Sequence, residues 1–163
     1  MELLQKTLQG IGPLDRESQR KARERLGSLA KPPGSLGILE EVVVQLAGIY
    51  GTPIPAPGEK VIMVMAGDHG IVEEGVAAFP QEVTPQMVLN FLKGGAAINV
   101  LGRHAGAKVV VTDVGIATSP ISDPGLNNCR IKSGTNNFLK GPAMSREEAI
   151  QAIEVGIRLV QDQ

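Results

Sequence analysis

Two continuous β-favouring runs, each closing on an aspartate and a glycine, constrain the fold of this chain more than any other feature of its sequence. Lys60 to Ala66 leads into Gly67-Asp68-His69-Gly70, and Ala107 to Thr112 leads into Asp113-Val114-Gly115. A strand apolar on both faces has to be covered by helices on both sides, which is the condition of a parallel sheet. Between the runs lie two helical stretches, Pro85 to Leu92 and Gly95 to His104, separated by Lys93-Gly94-Gly95. Thr84 is expected to cap the first of them, with Pro85 in its first turn, where a missing N–H costs nothing. Strand, helices, strand in that order reads as a right-handed crossover unit.

Helices flank this unit. Asp15 to Leu29 is a charged surface helix with Asp15 as its N-cap and Leu14, Ala22, Leu26 and Leu29 loosely on one face. Lys31-Pro32-Pro33-Gly34-Ser35-Leu36-Gly37 then interrupts, because paired prolines remove donors and push the preceding residue out of the α region. A second helix follows, with Ile38, Leu39, Val42, Val43, Leu46 and Ile49 as an apolar stripe that must pack on something. Gly51, Pro53, Pro55 and Pro57 mark a stiff connector. After the second strand, residues 117–142 are loop-rich, with one short strand expected at Asn128 to Lys132. Ser145-Arg146-Glu147-Glu148 is a capping box, and Ile150, Ile153, Ile157 and Val160 define the expected inner face of a last helix. The expectation is a three-layer α/β/α architecture with a mostly parallel sheet. Residues 1–58 would form a helical N-terminal segment with its proline-rich connector, and 59–163 the α/β part. Two or three strands are fewer than the four to six usual in a sheet, and no stop signal precedes Gln163, so an incomplete domain is expected.

Composition excludes several functions. Apolar residues make up 42% and charged residues 20%, ordinary globular usage. No apolar run approaches the roughly 20 residues of a spanning helix. Sixteen Lys and Arg against seventeen Asp and Glu leave a net charge of -1, without the basic footprint of a nucleic-acid binder. One Tyr, three Phe and no Trp give no stacking platform for single strands. The N-terminus lacks the pattern of a signal peptide, and Cys129 is the only cysteine, so a cytoplasmic setting is expected. Twenty glycines and eleven prolines point to turns, and turns often carry sites.

Asp68 and His69 sit at a strand's carboxyl end, where open α/β sheets bind ligands. Two readings stand open: a ligand-contacting pair, or Asp68 capping a turn with His69 held by backbone bonds. One His and one Asp without a nearby Cys, and with His104 far off on a helix, give no metal-ligand spacing. Asp113 and Gly115 hold the equivalent place on the second strand, so the two loops either floor a pocket jointly or simply turn the chain. The mononucleotide and dinucleotide glycine fingerprints are absent. Lys93-Gly94-Gly95 reads as an anion cradle or, more commonly, a plain helix junction. Ser35 has no nucleophile elbow, and Cys129 reads as a small buried residue. Glu73, Glu74 and Glu82 are acid–base candidates or solvated loop charge. Phe79, in the same loop, either stacks on an aromatic substrate or packs the loop onto the core.

Several long motifs occur in a fixed order. They are Lys31-Pro32-Pro33-Gly34-Ser35-Leu36-Gly37 with Leu39-Glu40, Gln45-Leu46-Ala47-Gly48, Ala66-Gly67-Asp68-His69-Gly70, Glu74-Gly75-Val76 and Phe79-Pro80-Gln81-Glu82-Val83-Thr84. Gly94-Gly95-Ala96-Ala97-Ile98-Asn99-Val100, Asp113-Val114-Gly115-Ile116 and Gly141-Pro142-Ala143-Met144-Ser145 follow. In order and spacing they resemble the nicotinate-nucleotide–dimethylbenzimidazole phosphoribosyltransferase family over nearly the whole chain.

The resemblance implies transfer of phosphoribose from nicotinate mononucleotide to 5,6-dimethylbenzimidazole, giving α-ribazole 5'-phosphate and nicotinate for the lower nucleotide loop of cobalamin. It implies a carboxylate base, no metal and no cofactor. It also implies small-molecule substrates, no nucleic-acid or membrane partner, and either a homodimer or a missing C-terminal half. Family members run to about twice this length, and their phosphate loop and catalytic glutamate lie beyond Gln163. What carries over is the base-binding side, with Phe79 and Met87 at positions lining the benzimidazole pocket and Asp68 and His69 at its strand-end floor. The chain alone is then expected to be inactive or very weak. The alternative is a non-catalytic base-binding or assembly module derived from that enzyme.

Overall fold

The computed structural model describes residues 1–56 and 58–163, so the connector proline Pro57 lies outside the described residues. They form two compact units, one of Gln9–Gly58 and the other of Met1–Leu8 with Glu59–Gln163. The first eight residues, expected with the helical segment, therefore group with the sheet. Helix α1 (Glu2–Gly10) begins with its terminal ammonium 2.8 Å from Glu154 Oε1, and Leu4 N donates to the same oxygen at 3.1 Å.

The helical unit is a hairpin of α2 (Arg16–Ser28) and α3 (Ile38–Tyr50). Asp15 caps α2, its Oδ1 accepting Glu17 N at 2.9 Å and Ser18 N at 3.3 Å, while its own amide donates to Gly48 O on α3 at 2.9 Å. Lys31 Nζ lies 2.6 Å from Glu40 Oε1 and closes the proline turn. The core is small: Ala22, Val44 and Ala47, with Leu26 against them. This corrects the expected stripe, since α3 buries Val44, Ala47 and Gly48 while Ile38, Leu39, Val42 and Ile49 face solvent. Small residues decide the contact face. A Cβ on Gly48 would lie 2.8 Å from Gln19 Cγ, so the helices meet where backbone can approach most closely.

In the other unit the order is β1 (Lys60–Gly67), a short 3-10 helix (Gly70–Glu74), α4 (Val83–Leu92), α5 (Ala97–Ala105), β2 (Ala107–Gly115), β3 (Leu126–Asn128) and α6 (Arg146–Gln161). The sheet is ordered β1-β2-β3 and is parallel throughout, with Lys60 opposite Ala107 and Ala66 opposite Asp113. Val88 of α4 packs against Ala66, Val111 and Leu126, and Gly102 of α5 approaches Val109 and Ile62 on that same face. On the opposite face, Val114 and Ala152 of α6 share a small cavity, and Lys108 Nζ reaches Gln163 Oε1 at 3.0 Å. The architecture is three-layer α/β/α.

Four local expectations are corrected. The first strand is expected to be covered on both faces, yet Val61 to Val64 are half-buried and Met65 is exposed; among the described residues β1 pairs with β2 alone. Thr84 does not cap α4, which starts at Val83, two residues before Pro85, with Glu82 at the cap position and no side-chain cap. The third strand is Leu126–Asn128 rather than Asn128 to Lys132. Cys129 N still donates to Asp113 O at 2.9 Å, but the Asp113 side chain takes the amides of Gly115 and Ile116, and the regular ladder stops there. In α6 the buried residues are Val155 and Leu159, while Ile153 and Val160 are exposed. The inner face runs through Glu148, Ala152, Val155 and Leu159 at helical spacing, and it is led by a glutamate that Lys132 Nζ meets at 2.9 Å. No described helix is long and apolar enough to cross a membrane.

Candidate functional site

The chain bends sharply where β1 ends, and several distant segments are drawn together there. Asp68 is buried and accepts from Thr84 Oγ1 at 2.6 Å through Oδ1 and from Ala117 N at 2.7 Å through Oδ2. Its amide donates to Gly115 O, and its carbonyl accepts from Thr135 N, each at 3.0 Å. Gly70 follows in a position that only glycine fills, since a Cβ there would sit 2.5 Å from Asn137 N and 2.6 Å from Thr135 O. His69 is exposed between them, paired to Thr135 through its backbone.

These bends open a cleft of about 550 Å3 between the end of β1, the loop that follows it and α4. Asp68, His69, Phe79 and Met87 all line it, joined by Thr84 and Phe91. Phe79 is 71% exposed, so its ring is free rather than packed on the core. Val83, Thr84, Met87, Val88 and Phe91 together make the α4 wall, mostly apolar, with the Thr84 hydroxyl turned to Asp68. A second, smaller cavity of about 120 Å3 shares Gly67, Asp68 and His69, so this strand end separates two spaces.

Other candidates serve structure. Asp113 is fully buried and does not line the cleft: its Oδ2 accepts from Arg130 Nη2 at 2.7 Å and Nε at 3.0 Å, and Arg130 Nη1 donates to Thr118 O. The two strand-end aspartates therefore do not floor one pocket, although the two loops do meet at the smaller cavity, which Gly115 lines with Asp68. Glu73 pairs with Lys140, which holds its carboxyl below the usual range, and Glu74 accepts from Asn137 Nδ2 at 2.6 Å. No anion cradle forms at Lys93-Gly94-Gly95, whose amides donate to Leu89 O, Phe91 O and Asn90 O. Cys129, expected buried, is half-buried because it lies just past the end of β3. The helical unit carries an open groove of about 600 Å3, in which Lys31 and Glu40 are engaged with each other.

The cleft wall is largely apolar, with Phe79 and Met87 on it, and its polar side chains are Asp68 and His69 at the strand end, Gln81 in the loop and Thr84 on α4. Sequence reasoning overlooked Gln81, Thr84 and Phe91 as lining residues. For Thr84 and Phe91 the spacing to Met87 and Val88 was available, since 84, 87, 88 and 91 fall on one helical face.

A family described as phosphoribosyltransferase matches residues 11–163. Among curated relatives, the nicotinate-nucleotide--dimethylbenzimidazole phosphoribosyltransferase of Desulforamulus reducens is 61% identical over 100% of this chain and 47% of its own length. The protein of the same description from Citrifermentans bemidjiense is 56% identical over 98% of this chain and 45% of its own. A crystal structure of nicotinate-nucleotide-dimethylbenzimidazole phosphoribosyltransferase from Thermus thermophilus superimposes with a TM-score of 0.83 at 48% identity, covering 88% of this chain and 43% of that one. The chain spans about half the length of the curated relatives it matches.

Proposed function

Because this chain belongs to the phosphoribosyltransferase family, we propose that it supplies the base-binding side of a site that transfers phosphoribose from nicotinate mononucleotide to 5,6-dimethylbenzimidazole. Support comes from the convergence of Phe79 and Met87 over the strand-end residues Asp68 and His69 in one open, largely apolar cleft. A benzimidazole ring stacks on the Phe79 face and packs against the polarizable Met87 thioether. One ring nitrogen attacks the anomeric carbon from the side opposite nicotinate, forming a C–N bond as the bond to nicotinate breaks with its electron pair. The β linkage thereby becomes α, and the products are α-ribazole 5'-phosphate and nicotinate. The second ring nitrogen must then lose its proton, which calls for a carboxylate base.

Among the described residues Asp68 is the one carboxylate lining the cleft, and both its oxygens already accept protein donors. The reading therefore gives this chain base binding without turnover of its own. It places the chain in the cytoplasm, as a homodimer or beside a second segment that completes the family's length. Purified chain incubated with both substrates, assayed by mass for α-ribazole phosphate beside a full-length enzyme, is expected to yield no product. Calorimetry with 5,6-dimethylbenzimidazole is expected to show binding. Product formation would place the base within this chain, and absence of base binding would sink the reading.

A further inference from the structure

We infer that Asp68 and Thr84 form a positioning pair that fixes the α4 wall of the cleft, and with it the room available to substituents on a bound base. The inference rests on the base-cleft reading above. Three observations on separate segments meet here.

Asp68 is a buried carboxylate, and its ties are all to neutral donors: the Thr84 hydroxyl at 2.6 Å on one oxygen and the Ala117 amide at 2.7 Å on the other. Burying a carboxylate is costly unless its oxygens are well bonded, so an aspartate held this way marks a place where geometry has to be kept. Both bonds are short for their donor types. Thr84 is in the first turn of α4, where the helix dipole also favours a negative group.

Thr84 shares its helical face with Met87, Val88 and Phe91, all of which line the cleft. One hydroxyl near the start of that face therefore sets its rotation about the helix axis relative to the end of β1. The backbone bonds of Asp68 to Gly115 O and Thr135 N anchor the other end of the tie in the sheet. Asp68 and Thr84 line the cleft themselves, and through their bond they also set the place of the Met87 wall.

The test compares wild type with T84V, which keeps the shape and loses the hydroxyl, and with T84S, which keeps the hydroxyl. Calorimetry gives Kd for benzimidazole and for 5,6-dimethylbenzimidazole, and their ratio is independent of how much of each sample is folded. T84V is expected to change that ratio by about threefold to tenfold, the range of one lost hydrogen bond, while T84S keeps it within about twofold. A ligand-free readout runs beside it: the Met87 methyl signal in a 13C-methyl-methionine spectrum, assigned with M87L, is expected to shift in T84V and to keep its place in T84S. An unchanged ratio with an unmoved Met87 signal in folded T84V overturns the positioning pair. If the wild-type chain binds neither base, the functional reading fails, and the Met87 signal alone decides the pair.

Discussion

The two units are held together by different means. The helical hairpin has three small apolar residues at its centre, Ala22, Val44 and Ala47, and it keeps larger ones such as Ile38 and Ile49 outside. The sheet unit buries Asp68, Asp113 and Asn137, whose side chains bond Thr84, Arg130 and Glu74 on distant segments. The hairpin also buries Ser18 and Gln19, but their side chains bond only their near neighbours Asp15 and Arg16, whereas hydrogen bonds between distant segments shape the sheet unit. A region built on buried polar groups is demanding, because each must keep its partner or cost the full penalty of desolvation. That demand fits a site, where positions have to be held to a fraction of an ångström.

The largest contrast is expected from Arg130→Met. It leaves the fully buried Asp113 without its cation, a loss on the order of 3–5 kcal/mol that urea unfolding monitored by circular dichroism will report. A smaller effect than that of a helix cap would dissolve the contrast. Next come two glycines. Gly70→Ala pushes a methyl against the backbone at Asn137 and Thr135 and should cost about 1–3 kcal/mol or more, whereas the methyl of Gly48→Ala meets a side chain, that of the buried Gln19, and no backbone. The gain in helix propensity, about 1 kcal/mol, should offset most of the second. Equal losses in thermal melts of the two variants would show that the hairpin is as unyielding as the strand ends.

Asp15→Ala removes the bonds to Glu17 N and Ser18 N and should cost about 1 kcal/mol, read as faster amide exchange confined to α2. Acid should distinguish the units least. Arg20 draws Glu17 down to about 2, and Lys132 holds Glu148 below its ordinary 4.5. Carboxyls lowered on folding contribute stability above their unfolded value, and that contribution fades as pH falls from about 4.5 toward 2. Melting temperature followed over that interval should decline in both units. A rise on acidification would reverse the assigned direction.

What the sequence disclosed follows from the range of each determinant. The Asp15 cap and the Ser145–Glu148 box join residues two or three apart, so a short window contains the whole interaction. The β1 and β2 runs are likewise legible as continuous patterns. Thr84 looked like a cap because its partner Asp68 lies sixteen residues back, and no local rule announces that bond. For Asp113 the choice between pocket floor and chain turn stays open in the sequence because Arg130 is seventeen residues on. The outward turn of α3 escaped notice for another reason: hydrophobic periodicity weights Ile and Val, and it is the alanine and glycine of that helix that choose its face.

The single pairing of β1 bears on how the chain behaves at high concentration. Val61 to Ala66 carries no charge and no proline, and among the described residues no strand pairs with the outer side of β1. Such an edge is a template on which another extended chain can crystallise in one dimension, and ribbons rather than discrete particles are the natural product. A lysine in place of Met65, already exposed, would act as a gatekeeper and keep concentrated solutions clear.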